Sequence, residues 1–221
     1  YRHDQDGLDT LVVTPRQVYN EFSSGTPDVA AIRNMVRMFY DRASGETEMP
    51  RYLLLFGDGS YDNKSEESRN TNYILTYQSP NSLSPISSFV TDDFFGLLDE
   101  TEGGSSGMLD IGVGRFPVKN RAEAQEVVEK TISYSGPGSM GDWRNTICFI
   151  GDDEDFNTHM IQADDLARTV ESERPGFIIN KIYLDAYQQV TTSSGARYPD
   201  VNAAINQRIN KGALIINYTG H

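Results

Sequence analysis

Short apolar runs of strand length, each followed by a polar turn and then by apolar residues at helical spacing, recur along the chain and narrow its folds to a small set. The clearest runs are Tyr52 to Gly57 and Thr146-Ile-Cys-Phe-Ile150. This alternation predicts an α/β fold: a mainly parallel sheet flanked by helices. Further strands are expected at Thr10 to Thr14, Leu109 to Val113, 177 to 184 and Ala213 to Asn217, with weaker ones at Tyr73 to Tyr77 and Ser87 to Val90. Continuous apolarity in Tyr52 to Gly57 predicts a strand covered on both faces. Residues 59 to 71 read as a polar, turn-rich connection.

Helices follow from spacing and caps. Thr26-Pro-Asp offers an N-cap and a first-turn proline before Val29, Ile32, Val36, Phe39 and Tyr40. Asn120 with Glu123 suggests a capping box for a helix burying Val127, Val128, Thr131 and Ile132. A third helix is expected over 157 to 172, with Met160, Ala163, Ala167 and Val170 inward, and a fourth from Pro199 to Asn210. The sharpest break is Ser135-Gly-Pro-Gly-Ser-Met-Gly141. It divides the chain into a first subdomain over 1–134, a linker over 135–145 and a second subdomain over 146–221.

Composition excludes several functions. With 19 Lys and Arg against 32 Asp and Glu, the net charge of −13 opposes the phosphate neutralisation that nucleic-acid binding needs. No apolar stretch approaches the roughly 18 to 20 residues of a membrane helix. The amino end lacks a signal-peptide pattern. The single cysteine, Cys148, excludes an internal disulfide and a multi-cysteine zinc site. Lying within an apolar strand, it reads as an inert core residue.

In open parallel sheets, polar groups beyond the carboxyl ends of strands converge on one crevice. Three strands end so: at Asp58 with Asp62 nearby, at Asp152 to Asp155, and at Asn217-Tyr-Thr-Gly-His221. His221 stands out, because imidazole titrates near neutrality and here follows a strand and a glycine. Its plain alternative is a surface loop histidine. His159, in the first turn of a helix, and His3 have weaker cases. Within Asp152 to Asp155, one carboxylate can orient an imidazole as part of a Cys-His-acid arrangement, and another can recognise a cationic side chain or hold calcium. Acids before a helix also simply cap it. Asp58 reads as structural, and Asp92, Asp93 and Asp99 as solvated loop acids. No glycine pattern marks a nucleotide site, and a phosphate-handling protein is disfavoured because no basic residue follows Asp58 or Asp152 suitably.

The segment Gly212-Ala-Leu-Ile-Ile-Asn-Tyr-Thr-Gly-His221 resembles the strand of gingipain-type cysteine peptidases that ends in the catalytic histidine. Asp110-Ile-Gly-Val-Gly-Arg-Phe-Pro117 looks like a second landmark of that family. Val18 to Val29, Tyr52 to Asp62 and Gly151 to His159 look closest to its PorU branch, which processes cargo of the type IX secretion system. The resemblance implies a caspase-like fold of two adjoining subdomains and a cysteine-type endopeptidase or transpeptidase acting on protein substrates. It carries His221 over as general base or acid. Asp152 follows as the orienting acid with Asp153 close behind, and Asp155 as a substrate-side residue. It also implies a nucleophilic cysteine beyond the next strand, whose N–H joins that of the glycine after the histidine in an oxyanion hole.

By the same likeness no cofactor is required, calcium is compatible, and the protein is exported to the surface or periplasm of a Gram-negative bacterium. Both ends read as truncated, so the fragment itself is expected to be inactive. Exposed sheet edges would favour self-association, which a clean monomer in light scattering would remove. The rival expectation from another class is a catalytically silent adhesion or scaffold domain that reuses the peptidase fold.

Overall fold

The computed structural model describes every residue except Glu66, Ser68, Ser82, Pro85, Ile86, Ser105 and Ser194. Two of these fall in the turn-rich segment 59–71, so that part of the expectation lies outside the described residues. The chain divides into two compact units, Tyr1–Tyr134 and Ser135–His221. Parallel sheets flanked by helices define a mixed α/β architecture consistent with a caspase-like fold. Among the described residues no helix is long and apolar enough to cross a membrane.

The first unit opens with a short helix α1 (Arg2–Asp6) and an irregular stretch through Thr14. No strand forms at Thr10 to Thr14, because Thr14 is the N-cap of a helix α2 (Pro15–Phe22) that spacing alone did not suggest. Thr14 and Gln17 close a capping box around Pro15 at the first position. Helix α3 (Val29–Arg42) is capped by Asp28, whose carboxylate accepts from the Ala30 N–H at 2.8 Å, so the cap lies two residues beyond the expected Thr26.

Strand β1 (Tyr52–Phe56) pairs in parallel with β4 (Gly112–Phe116), which starts three residues later than the apolar run at Leu109. Between them β2 (Tyr77–Gln78) and β3 (Val90–Thr91) form a small antiparallel pair. Only one face of β1 is covered. Leu55 is buried, whereas Tyr52, Leu54 and Phe56 are exposed, so the expectation of burial on both faces fails in this unit. Alternation along the strand sends Leu53 and Leu55 into a core with Val18, Tyr19, Ala31, Ile32, Phe94 and Phe95. Helix α4 (Arg121–Ser135) buries none of its residues, so Val127, Val128, Thr131 and Ile132 do not form the inward stripe expected. Its start is held as anticipated: Glu123 N–H donates to Asn120 Oδ1 at 3.0 Å.

Arg115 of β4 ties this unit together. Its guanidinium donates to both Asp92 oxygens at 2.7 Å and to the carbonyls of Gly57 and Ile74 at 2.9 Å and Leu75 at 3.2 Å. Asp92 is therefore an ion-pair partner and not a solvated loop acid. Asp110 likewise serves the fold, accepting the Leu98 N–H at 2.7 Å. Asp58 accepts from the Thr71 hydroxyl and lies 3.9 Å from Lys119 Nζ, a structural role matching its sequence reading.

The second unit begins with two 3-10 turns, Pro137–Ser139 and Asp142–Asn145. It then builds β5 (Thr146–Gly151), α5 (Glu154–Glu173), β6 (Ile178–Tyr183), an antiparallel pair β7 (Val190–Thr192) and β8 (Gly195–Arg197), α6 (Pro199–Lys211) and β9 (Ile215–Thr219). The sheet order is β6-β5-β9, all parallel. Every residue of β5 is buried, as a central strand between two helical layers requires. Ile147 and Phe149 face α5 at Ala167, whereas Cys148 and Ile150 face α6 at Val201. Gly151 permits close contact, since a Cβ there would lie 2.8 Å from the Met160 backbone on α5.

Candidate active site

The order β6-β5-β9 contains a reversal. From β5 the chain crosses to one neighbour, β6, and then returns past β5 to the other, β9. The carboxyl ends of β5 and β9 therefore lie side by side, the place where ligands bind in open α/β sheets. Gly151 pairs with Thr219 in this ladder, and the Asp152 N–H donates to the Thr219 carbonyl at 3.2 Å. The next residues outward are Asp152 on one strand and Gly220 and His221 on the other. The register therefore delivers the acid and the imidazole to one place.

Asp152 is buried, yet it is fully engaged. Its Oδ1 accepts the Glu154 N–H at 3.0 Å and its Oδ2 the His221 N–H at 2.8 Å. The same Oδ2 lies 3.4 Å from His221 Nδ1, a loose contact of the kind that tightens when a reaction partner arrives. Gly220 makes this approach possible, because a Cβ there would collide with the Asp152 carboxyl and sit 2.8 Å from the Tyr218 hydroxyl. That hydroxyl donates to the His221 carbonyl at 2.8 Å and helps fix the strand end.

Burial alone would push the Asp152 carboxyl up. The backbone N–H groups of His221 and Glu154, the His221 side chain and the nearby His159 outweigh it and hold the carboxyl below its ordinary value. A depressed carboxyl binds fewer protons in the folded state, so its stabilisation is complete above the unfolded value of about 3.9 and fades as pH falls through the lower folded value. We expect the melting temperature of the 221-residue chain to drop on acidification below about pH 4, and the Asp152→Asn variant to lose that part of the drop. An identical acid profile in both proteins would contradict this account of Asp152.

Asp155 joins the pair from an unusual turn. Asp155, Phe156 and Asn157 all have left-handed backbone, with φ of 52°, 57° and 62°, so regular helical geometry in α5 begins only after them. The turn sets Asp155 Oδ2 3.2 Å from His221 Nε2 and 3.5 Å from His159 Nε2. Phe156 projects fully into solvent. His159 packs edge-on against His221, with ring centroids 4.7 Å apart and an interplanar angle of 82°. Its sequence position had given it a weaker case than His221, with a solvated or helix-packing role equally open. No spacing marked it, because Asp155 to Asn157 break the helical register just before it.

Asp153 is not part of this cluster. It accepts from the Tyr198 hydroxyl, a bond that, with burial, pushes that phenol up to about 12. Of the acids singled out in the sequence, Asp152 and Asp155 therefore flank the imidazole, Glu154 reaches within 4.0 Å of it, and Asp153 serves the loop before α6. Cys148 lies in the core, fully buried, its thiol donating to Asn180 Oδ1 at 3.5 Å. Burial pushes that thiol up against a weaker opposing effect of Arg208. A raised thiol holds little thiolate and cannot act as a ready nucleophile.

The second unit is thus a parallel α/β sheet that sets a histidine beside a buried carboxylate at the carboxyl ends of two adjacent strands. The family model described as Peptidase family C25 matches residues 1–221. The chain belongs to this family, the gingipain family of cysteine peptidases, and protein is accordingly its class of substrate. Neither the curated proteins nor the solved structures compared with it give a match.

Proposed function

We propose that this chain carries the histidine and the orienting acid of a cysteine endopeptidase or sortase that processes exported proteins, with the nucleophilic thiol supplied by a residue outside these 221. The observation that carries the reading is the approach of His221 to the buried Asp152 carboxylate where the carboxyl ends of β5 and β9 lie side by side. An imidazole beside a fixed carboxylate can take a proton from a thiol and return it to the leaving amine, while the carboxylate favours the imidazolium formed between the two steps. Asp152 is the orienting acid in this reading. Asp155, exposed on its left-handed turn, faces the substrate and offers a charge to a cationic side chain. Calcium is not needed for any of these steps.

The buried state of Cys148 supports a thiol from elsewhere in the parent protein. The likeness of Gly151 to His159 and Tyr52 to Asp62 to the PorU branch supports exported cargo, a surface or periplasmic location and acyl transfer through a thioester. A peptidyl, thiol-reactive affinity label added to the complete protein tests the reading. The expected result is one adduct on a cysteine other than Cys148, dependent on His221. No adduct, or an adduct on Cys148, would favour a silent surface scaffold instead.

A further inference from the structure

His159 carries a buried Nε2 with no hydrogen-bond partner. The Asp155 carboxylate lies 3.5 Å away but outside hydrogen-bond geometry. A buried nitrogen without a partner forgoes a hydrogen bond, so something that binds there gains what the fold leaves unmade. What surrounds it is a set of donors. Asp152, His159 and His221 each offer one ligand atom, and these atoms lie within 4.8 Å of one another. Of these, Asp152 Oδ2 and His221 Nδ1 are 3.4 Å apart, near the spacing of two ligands about 2.0–2.1 Å from one tetrahedral ion.

We propose that Asp152, His159 and His221 bind a zinc-type divalent cation, with Asp155 or water at the remaining position. Two imidazoles and a carboxylate suit zinc, whereas calcium and magnesium prefer oxygen donors throughout. The fold supplies the ligands from three rigid places: the end of β5, the first regular turn of α5 and the end of β9. Small adjustments of the His221 ring draw the donors together, since its side chain is 58% exposed. The bound ion takes the imidazole that proton transfer needs. This consequence rests on the peptidase reading and makes the metal a reversible off-switch; the binding itself does not depend on it.

Zinc chloride titrated calorimetrically into the 221-residue chain tests the site without any need for activity. One saturable site of micromolar or better affinity is expected, unmoved by millimolar calcium. Cobalt(II) should give the intense visible bands of a four- or five-coordinate site. Both His159→Gln and His221→Ala should weaken zinc binding at least about tenfold, which is about 1.4 kcal/mol, with circular dichroism unchanged. Absence of a saturable site, or wild-type affinity in both variants, overturns the proposal. If zinc binds as expected yet the complete protein shows no peptidase activity without metal, the site stands and the peptidase reading falls.

Discussion

Replacing His221 by alanine in the complete protein is expected to lower peptide turnover by about 10⁴-fold or more while leaving the fold intact. Both halves of that statement come from one geometry. The imidazole is the exposed part of the residue, and its removal takes away the group to which the peptidase reading assigns proton exchange. The backbone N–H of residue 221 still reaches Asp152 Oδ2, so the end of β9 keeps its anchor. Substitution at Asp152 affects both, because the carboxylate holds two backbone N–H groups as well as the imidazole. Turnover should be followed with a labelled cargo peptide and folding with circular dichroism. Unchanged processing by His221→Ala would end the catalytic assignment of that residue, and loss of structure would show that the side chain is needed for folding.

The second large effect concerns stability and lies in the other unit. Arg115→Ala is expected to destabilise the first unit by about 3–5 kcal/mol, a large share of the roughly 5–15 kcal/mol that keeps a domain folded. Five hydrogen bonds end on this guanidinium, which is 12% exposed: two to Asp92 and three to carbonyls from two separate chain segments. Alanine leaves the Asp92 carboxylate and those carbonyls without their partner in a poorly solvated place, and water cannot fully replace the planar fork. Arg115→Lys keeps the charge but not the bidentate geometry and should fall between. Native-state hydrogen exchange at β1 and β4 reads the effect directly. Protection there should fall by about 10²- to 10⁴-fold in the alanine variant, and unaltered protection would mean that Arg115 is a bystander.

The second unit was largely legible from its sequence because its elements are decided by burial. β5 is apolar throughout, and Ala163 and Ala167 mark the packed face of α5 by their size. The first unit was less so. Pro15 to Phe22 lacks a long periodic stripe, and its helix rests on a cap formed by Thr14 and Gln17 that is easy to overlook beside apolar Leu11 to Val13. The inward faces expected of β1 and α4 followed from apolarity alone, yet Leu54, Val128 and Ile132 stay exposed within their unit.

At the site, strand ends identified Asp152 and His221, but neighbouring acids could not be ranked. Successive residues leaving a strand point to opposite sides, so Asp152 turns toward β9 and Asp153 toward Tyr198. Only the register decides which. His159 escaped for a different reason: it follows a turn with three left-handed residues, and no helical projection carries across such a turn.

The hydrogen-bonded ladder between β5 and β9 spans 69 positions of sequence at its outer end, where Asp152 meets His221. Everything in between returns to the same two strand tips, so the alignment of acid and base is stored in the central strands and not in the excursion. The exposed hairpin β7–β8 lies within that excursion. Lengthening or exchanging it asks nothing of the two strand tips, which leaves this stretch open to variation while Asp152 and His221 stay in place.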